Sequence, residues 1–417
     1  MNTPVRAPLL PLDEALGRLL SFATPQLATE QVPVGDADAR VLAQDVVSAL
    51  HVPPHDNSAM DGYAMRCGDV VQPGTSLPVS QRIAAGANGE PLQPGTVARI
   101  FTGAPVPPGA DAVVMQEDCT ALPPSDVHGS VAAVQINTQP TPGQNIRRAG
   151  EDVALGDVVL SRGQRLGPAE LGLAASIGLA TLAVARRPRV ALFSTGDELV
   201  MPGTVAPHDM APGAIYNSNR YFLSALLRRM GCLVTDLGIV PDQREATVQA
   251  LRDAAQSHDV ILTSGGVSVG EEDHIKPAVQ ALGSLDLWQI AIKPGKPFAY
   301  GRVGDAHFLG LPGNPVSSFV TFLVLVRPFL LQLQGMPAVA LKTVAARADF
   351  TWARADKRRE FLRVRRNAEG GLELFPNQSS GVLTSAVWGG GLVDNPPGRT
   401  VLPGDTVQFI SFAELLA

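Results

Sequence analysis

The stretch RVALFSTGD (residues 189–197) is an apolar, β-rich run that ends in a turn containing glycine. Two later stretches have the same form, VILTSGG (residues 260–266) and HFLGLPGNP (residues 307–315). Helical patterns lie between the first two runs, over residues 217–231 and 243–257. Such alternation of strands and helices is typical of a three-layer α/β domain with a mostly parallel sheet.

Glycine and proline interrupt the chain on both sides of this domain, since the 417 residues include 41 glycines and 35 prolines. Short alternating runs between such breakers are typical of small β domains. We therefore expect a multidomain α/β plus β protein with four parts. These are an elongated N-terminal α+β base (1–52 and 149–185), an inserted β-rich lobe (53–148), the central α/β domain (186–335) and a small C-terminal β-barrel (336–417).

Composition excludes several classes of protein. Hydrophobic residues make up 45% of the chain, which excludes a disordered protein. The formal net charge of −6 excludes a global basic surface for nucleic acid, so an anionic ligand needs a local site. The strongest apolar run, Phe319–Val326, is far shorter than the roughly 20 residues of a membrane span. Three scattered cysteines and the absence of a signal-like start favour the cytoplasm.

The three glycine turns form the first candidate site. Ligands of open α/β sheets bind beyond the carboxyl ends of the strands, and helix starts there attract phosphate. One such turn is compatible with a simple chain reversal, but three in one domain indicate an anion-binding cleft. The candidate residues are Thr195, Gly196, Ser264, Gly265, Gly266, Ser268, Pro312, Gly313 and Asn314.

Acidic residues lie close to the same turns. Glu198 follows the first turn, Asp242 follows the strand-like run that ends at Val240, and Asp273 follows the second turn. Carboxylates beside a phosphate site suit Mg²⁺, which prefers oxygen ligands. The alternative is that these acids are solvated loop residues or favour the start of a helix.

A rigid basic turn, KPGKP, places Lys293 and Lys296 after an apolar strand. A second basic cluster, RREFLR, contains Arg358 and Arg363. If the two meet, they make a small pocket for a tetrahedral anion. The alternative is an exposed basic turn and an edge strand guarded by charge.

Seven strings in order resemble one family. The strings are DNSAMDGYA (56–64), TGAPVP (102–107), RAGED (148–152), STGDEL (194–199), SGGVSVG (264–270), KPGKP (293–297) and LPGNP (311–315). Together they resemble the MoeA family, the molybdopterin molybdenumtransferases, to which the gephyrin E domain belongs. The resemblance extends from about residue 8 to the end of the chain and is weakest in the C-terminal stretch.

The resemblance implies a reaction and an assembly. Such enzymes take adenylylated molybdopterin and molybdate, hydrolyse the adenylate, place molybdenum on the dithiolene sulfurs and release AMP. The family resemblance also implies that the α/β domain binds molybdopterin. It further implies an elongated homodimer, whose active site lies between this domain and the partner's N-terminal region. A molybdopterin adenylyltransferase and the recipient molybdoenzymes or their chaperones are the implied partners, with no nucleic acid and no membrane.

The resemblance also implies roles for single residues. The turns at Ser264–Ser268 and Pro312–Asn314 would hold the pterin phosphate and the pyrophosphate, and Asp242 and Asp273 would carry Mg²⁺. Further family positions in the cleft are Glu198, Thr102, Asp152 and Asp61, the last from the partner subunit. Molybdate would bind Lys293 and Lys296 with Arg358 or Arg363 and Ser380. The string NQSSG (377–381) lacks a basic residue that some relatives carry, which bears on molybdate affinity.

Three other functions remain open at this point. A molybdopterin adenylyltransferase has the same type of α/β domain, but its chains are usually short, and the long flanking regions and the KPGKP turn argue against it. A non-enzymatic scaffold is a second alternative, since gephyrin also clusters receptors, but we expect no long linker or fused domain of the kind that favours this use. Tungstate insertion is open too, because the sequence does not distinguish tungstate from molybdate.

Overall fold

A computed structural model describes residues 9–25, 27–123, 132–267, 274–337 and 339–416. The described helices are α1 (Leu12–Phe22), α2 (Pro168–Ser176), α3 (Asn219–Arg229), α4 (Arg244–Ser257), α5 (Ile275–Leu282), α6 (Pro315–Thr321), α7 (Arg327–Leu333), α8 (Thr384–Trp388) and α9 (Phe412–Leu416). The described strands are β1 (Thr29–Pro33), β2 (Val46–Val47), β3 (Asn57–Ser58), β4 (Gly62–Met65), β5 (Thr75–Ile83), β6 (Val97–Ile100), β7 (Ala112–Met115), β8 (Cys119–Leu122), β9 (Ala133–Ile136), β10 (Ile146–Arg147), β11 (Val158–Leu160), β12 (Thr181–Ala185), β13 (Arg189–Thr195), β14 (Leu199–Val200), β15 (Ile215–Tyr216), β16 (Leu233–Val240), β17 (Val260–Ser264), β18 (Gly283–Gln289), β19 (Ile292–Lys293), β20 (Pro297–Val303), β21 (Ala306–Leu311), β22 (Val344–Arg347), β23 (Arg359–Arg366), β24 (Leu372–Leu374), β25 (Gly391–Asn395) and β26 (Thr406–Ser411).

The central sheet has the strand order β16-β13-β17-β21-β20-β18. Its first four strands are parallel, and β20 and β18 complete it in antiparallel order, so the sheet is mixed. Residues of β13 alternate between two cores: Val190 and Leu192 pack with α3 and the α6–α7 helix, whereas Ala191 and Phe193 pack with α4 and α5. This alternation follows from the period of two of a strand buried on both faces.

A continuous helical segment, Pro315–Leu333, passes through the centre of this domain. It consists of α6, a π-helical turn and α7. Its length and mean hydropathy of 1.8 would allow it to cross a membrane, but 83% of the tested window is buried inside the protein. Burial of this kind is typical of a core helix, and its N-terminus lies at the carboxyl edge of the sheet.

The N-terminal region contributes to two different cores. Strands β1 and β12 pair antiparallel, as do β2 and β11, around a separate buried cluster of residues from both segments of the predicted base. Helix α1, in contrast, buries Leu12, Ala15 and Leu19 in the same cluster as Phe329 of α7. The base therefore receives no core side chains from α1, and the exact domain boundaries stay a prediction.

The lobe contains a sheet of the order β7-β4-β6-β5-β9-β8. The stretch 56–64 contains β3 and the start of β4. Packing requires glycine at position 62, within the DNSAMDGYA string. A Cβ atom at Gly62 would collide with the main-chain carbonyl of Val114 on β7.

The C-terminal region forms a sheet of the order β19-β23-β25-β26-β22, with β24 paired to β23. An isolated bridge joins Ala348 to Leu372, next to β22 and at the start of β24. Strand β19 belongs to the chain of the central domain, yet it pairs parallel with β23. The KPGKP turn therefore begins inside the C-terminal sheet, and closure into a barrel stays a prediction.

A buried histidine lies at the amino end of the central sheet. His307 is 8% exposed, and its Nδ1 atom lies 2.9 Å from the hydroxyl oxygen of Tyr300. Arg302 places an Nη1 atom 3.1 Å from Nε2 of the same ring. Burial, and secondly the charge of Arg302, lower the pKa of His307 from 6.5 to about 4. The folded protein thus holds this imidazole in its neutral form down to mildly acidic pH.

This pKa predicts a loss of stability in mild acid. Because the pKa of His307 is lower in the folded protein, the unfolded chain binds the proton first as the pH falls below about 6.5. We expect the free energy of unfolding to fall by about 1–2 kcal/mol between pH 7 and pH 5 through this group. Urea denaturation at both pH values should show a smaller difference in His307→Gln; an equal difference in both proteins would contradict the prediction.

Candidate active site

Three predicted turns meet at one edge of the central sheet. The register pairs Ser194 of β13 with Ser264 of β17, and Ser264 with Leu311 of β21, so the turns that follow are neighbours. A cavity of about 680 Å³ opens at this edge. The predicted residues that line it are Thr195, Glu198, Ser264, Gly265, Pro312, Gly313 and Asn314.

The glycines of the first two turns allow the turns to pack closely. A Cβ atom at Gly266 would lie 2.5 Å from Ile275 and 2.9 Å from the hydroxyl oxygen of Thr195. A Cβ atom at Gly196 would lie 2.6 Å from Oε2 of Glu198, whose carboxylate folds back over the turn. Gly265 and Gly266 also have positive φ angles of 97° and 68°. Gly265 lines the cavity, whereas Gly196 and Gly266 are not among its lining residues and leave room for Glu198, Thr195 and Ile275 to pack against the turns.

Two asparagines outside the predicted set of site residues belong to this cavity. Asn219 is 8% exposed and donates from Nδ2 to the hydroxyl oxygen of Ser264 (2.8 Å) and to the carbonyl oxygen of Gly313 (2.7 Å). It therefore joins the start of α3 to two of the three turns. Asn217 lines the cavity as well and accepts a hydrogen bond from the main-chain N–H of Arg220.

The charge of the cavity wall is negative. Among the lining residues that the structure describes, Glu198 is the only one with a charged side chain. Asp242 lies two residues beyond Val240, which pairs with Thr195 in the adjacent strand, and its side chain is half-buried. Ser268 and Asp273, the other predicted residues of this edge, lie outside the described residues.

The donor chemistry of this edge fits Mg²⁺. Asp242 supplies carboxylate oxygens, the hard ligands that Mg²⁺ takes. Within the ranges that the structure describes, no group of three or more His, Cys, Asp or Glu residues forms a metal cage. Mg²⁺ usually keeps waters and binds through one or two carboxylates plus substrate phosphates. Asp242 therefore suits a metal that arrives with a phosphorylated substrate.

The two lysines of the basic turn differ in their surroundings. The Nζ atom of Lys293 lies 3.0 Å from Oε1 of Glu360 and 3.4 Å from Oδ2 of Asp356. It also lies 5.6 Å from the ring centroid of Trp352. Lys296 is half-buried, and no described side chain pairs with its amino group. Pro297, the next residue, lines the cavity, so the basic turn ends at the cavity wall.

The two predicted arginines also form hydrogen bonds within the protein. Arg358 donates two hydrogen bonds to the carboxylate of Asp356, which holds the pKa of Asp356 well below its usual value. Arg363 is 1% exposed and donates to Ser385 (3.1 Å) and to the carbonyls of Phe361 (3.0 Å) and Ser379 (3.3 Å). Burial lowers the pKa of Arg363 to about 10.

The loop that Arg363 holds reaches the cavity. The carbonyl oxygen of Ser380 accepts a hydrogen bond from the main-chain N–H of Val316 in the first turn of α6 (2.9 Å), and Gly381 lines the cavity. The C-terminal region thus closes one side of the cavity through this loop, and Arg363 supports the loop from behind.

The remaining predicted residues lie in or next to the lobe. Asp61 accepts hydrogen bonds from the main-chain N–H and the hydroxyl of Thr102, each at 2.8 Å. These bonds lower the pKa of the Asp61 carboxyl. They also connect the DNSAMDGYA string to the TGAPVP string. Asp152 is exposed, and its main-chain N–H donates to the carbonyl of Val52. Asp61 and Thr102 thus form one unit, and Asp152 lies on a separate turn.

Comparisons with known proteins cover nearly the whole chain. Family models match three segments: the MoeA N-terminal region (domain I and II) at residues 10–178, a probable molybdopterin binding domain at 191–332 and the MoeA C-terminal region (domain IV) at 345–412. A molybdopterin molybdenumtransferase of Haemophilus influenzae is 42% identical over 327 residues, which are 78% of each chain. Molybdopterin molybdenumtransferase 2 of Mycobacterium tuberculosis is 44% identical over 320 residues, 73% of this chain and 75% of the relative.

Solved structures agree with these matches. A crystal structure of the molybdopterin biosynthesis moeA protein from Pyrococcus horikoshii OT3 has a TM-score of 0.84 at 28% identity, and the match covers 97% of this chain and 100% of that one. A second structure of the moeA protein from Pyrococcus has a TM-score of 0.78 at 30% identity, with 97% and 99% covered. The resemblance seen in the sequence is thereby confirmed, and the chain belongs to the MoeA family of molybdopterin molybdenumtransferases, enzymes of molybdenum cofactor biosynthesis.

Proposed function

We propose that this enzyme inserts molybdenum from molybdate into adenylylated molybdopterin, with Mg²⁺-dependent release of AMP. The observation that carries the proposal is the polar cavity at the carboxyl ends of β13, β17 and β21, in whose wall the basic turn ends at Pro297. This edge of an α/β sheet is where ligands with phosphate groups bind. The basic turn beside it offers a cation for a second, smaller oxyanion.

In this proposal the turns bind the phosphate groups of the substrate, and the acids bind the metal. The turns at Ser264–Ser268 and Pro312–Asn314 hold the phosphate and the pyrophosphate, and Thr195 and Gly196 border them. Asp242, together with Asp273, holds Mg²⁺. When bound there, Mg²⁺ would neutralise charge on the pyrophosphate as the phosphoanhydride is hydrolysed.

Molybdate binds beside the basic turn in this proposal. Lys296 supplies the unpaired charge, Lys293, Arg358 and Ser380 are the further candidate ligands, and Arg363, buried behind the loop that contains Ser380, acts by holding that loop. Because Lys293 and Arg358 are already paired with carboxylates, their contribution to a dianion is smaller than their charge alone suggests. Tungstate, an oxyanion of nearly the same size, is expected to compete.

The proposed assembly is a cytoplasmic homodimer. Asp61 would complete the cleft of the partner subunit, and Thr102 and Asp152 are further positions of the cleft. The hydrogen bonds from Thr102 to Asp61 support this, because they fix a carboxylate at the surface of the lobe. A molybdopterin adenylyltransferase would supply the substrate, and molybdoenzymes or their chaperones would receive the product.

The experiment is AMP release from adenylylated molybdopterin, with and without Mg²⁺ and with and without molybdate. We expect release that needs both, and a loss of at least about a hundredfold in Asp242→Asn, because one carboxylate charge at the metal is removed. Asp305→Asn, an exposed aspartate in the β20–β21 turn, is the matched control and should keep wild-type activity. Release that ignores molybdate would indicate a simple hydrolase and contradict the role of the lysines.

A further inference from the structure

A second cavity lies at the amino end of the central sheet, opposite the proposed active site. Its volume is about 340 Å³. Strands β18, β20 and β21 form its floor, because the register places Ser284 opposite Arg302 and Arg302 opposite His307. Residues directly opposite one another share a face of the sheet, and so do residues two positions apart. Asp286 and Tyr300, which pair in the next row, therefore face the same cavity.

The end of α1 covers this floor. The ring of Phe22 stacks on that of Tyr300, with ring centroids 4.5 Å apart and an interplanar angle of 10°. Phe22 nevertheless remains 40% exposed, and it lines the cavity. Ser21 and Thr24, which carry hydroxyl groups, line the cavity next to it. The cavity thus has an apolar ring in one wall and a polar floor.

Arg302 brings a positive charge to the cavity, and it forms no ion pair within the part of the chain that the structure describes. Its Nη1 atom lies 3.2 Å from Nδ1 and 3.1 Å from Nε2 of His307. One nitrogen cannot point along the lone pairs of both ring atoms, so the guanidinium lies against the face of the imidazole. It also bonds the hydroxyl of Tyr300, so both of these partners are neutral. Asp259, just before β17, is held by Arg186 through two hydrogen bonds of 2.9 Å.

Asp286 brings the opposite charge to the same cavity. Its side chain is exposed, and among the described residues it forms neither an ion pair nor a hydrogen bond. Long side chains at diagonal positions of paired strands are close enough to interact. Arg302 instead leans towards β21, away from the strand of Asp286, because it lies on His307. Two opposite charges therefore line one cavity with a gap between them.

We propose that this cavity binds a free α-amino acid with an apolar side chain, in its zwitterionic form. The carboxylate accepts hydrogen bonds from the guanidinium of Arg302, and the ammonium group donates to the carboxylate of Asp286. The side chain lies against the exposed part of the Phe22 ring. A simple anion would meet repulsion from Asp286, whereas a zwitterion pairs with both charges at once. The site is independent of the proposed reaction, since the two cavities share no lining residue in the described chain.

The test is calorimetric titration of the full-length protein with L-phenylalanine and with two analogues that each lack one charge. L-Phenylalaninamide keeps the ammonium group but has no carboxylate. Hydrocinnamate keeps the carboxylate but has a hydrogen atom in place of the ammonium group. We expect L-phenylalanine to bind at least about tenfold tighter than either analogue, because each loses a charge-assisted hydrogen bond. Glycine, which has both charges and no side chain, should bind about tenfold weaker than L-phenylalanine.

Variants assign each charge of the ligand to its residue. Asp286→Asn should weaken L-phenylalanine binding about fivefold and should not weaken hydrocinnamate binding, because this analogue has no ammonium group for the aspartate. Arg302→Gln should weaken the binding of both ligands about tenfold or more. Asp305→Asn makes the same change as Asp286→Asn in the exposed turn after β20, outside the lining, and should bind both ligands like wild type. If Arg302→Gln does not fold, the two analogues and Asp286→Asn still test both contacts.

Three results would overturn the inference. The first is the absence of L-phenylalanine binding up to about 10 mM. The second is hydrocinnamate binding as tight as that of L-phenylalanine, which would indicate a site for simple carboxylates. The third is L-phenylalanine binding that responds to Glu198→Gln and not to Asp286→Asn, which would place the amino acid in the proposed active site. None of these measurements depends on AMP release, so a failure of the proposed reaction leaves the inference intact.

Discussion

Replacing Lys293 by methionine is expected to reduce the free energy of unfolding by about 2–3 kcal/mol, because it leaves Glu360 buried without its cation. Glu360 is 1% exposed, and Lys293 is the cation that lies 3.0 Å from it. The indole N–H of Trp352 donates to the second carboxylate oxygen at 2.7 Å, which reduces the loss without replacing the charge.

Methionine at position 296 should lower the affinity for molybdate and leave the stability of the protein unchanged. Lys296 has no partner among the described side chains, so Lys296→Met should leave the free energy of unfolding nearly unchanged. Its charge is the one available to an oxyanion, and we expect molybdate affinity to fall at least about tenfold. The two variants differ only in position within one rigid turn, so each is the control for the other.

Urea denaturation tests the stability prediction for the Lys293 variant, and molybdate titration tests the affinity prediction for the Lys296 variant. The double variant Lys293→Met with Glu360→Gln should recover at least half of the lost stability, because a neutral glutamine can keep Trp352 as its donor. Equal stability loss in both single variants would contradict the assignment of the buried ion pair. Unchanged molybdate binding in Lys296→Met would remove this lysine from the proposed oxyanion site.

Local patterns in the sequence predicted those parts of the site that come from a single stretch of chain, namely each strand and the turn that follows it. The apolar runs at 189–194, 260–263 and 307–311 became β13, β17 and β21, and the glycine turns after them line one cavity, because parallel strands bring their carboxyl ends to one edge. The family was also predictable, because several strings occur in a fixed order.

Pairings between distant segments could not be predicted in this way. Lys293 and Arg358 looked like anion ligands, but Glu360 and Asp356 neutralise them, and nothing in a local pattern shows which acid meets which base. Arg363 looked like a ligand too, yet it is buried behind the loop that closes the cavity. A signal for Asn219 was present, since polar residues crowd the start of α3, but only the fold shows that its side chain meets two turns.

Asn219→Ala is the second change for which we expect a large effect. The alanine variant loses both donations from Nδ2, to Ser264 and to the carbonyl of Gly313, at a site that is 8% exposed. Two unsatisfied buried groups predict a loss of about 2–3 kcal/mol in the free energy of unfolding. Because the same bonds hold two turns of the cavity together, AMP release should fall by about a hundredfold even under conditions where the variant is folded.

A conservative substitution and a control on the same helix make this prediction specific. Asn219→Asp can still accept from the hydroxyl of Ser264, but it places a carboxylate oxygen against the carbonyl of Gly313, so it should be no more stable than the alanine variant. Arg228→Ala, on the exposed side of α3, should change neither stability nor activity. If Asn219→Asp instead behaves like wild type, the bond to Gly313 does not hold the turns, and the cavity must keep its shape through glycine packing at Gly265 and Gly266 alone.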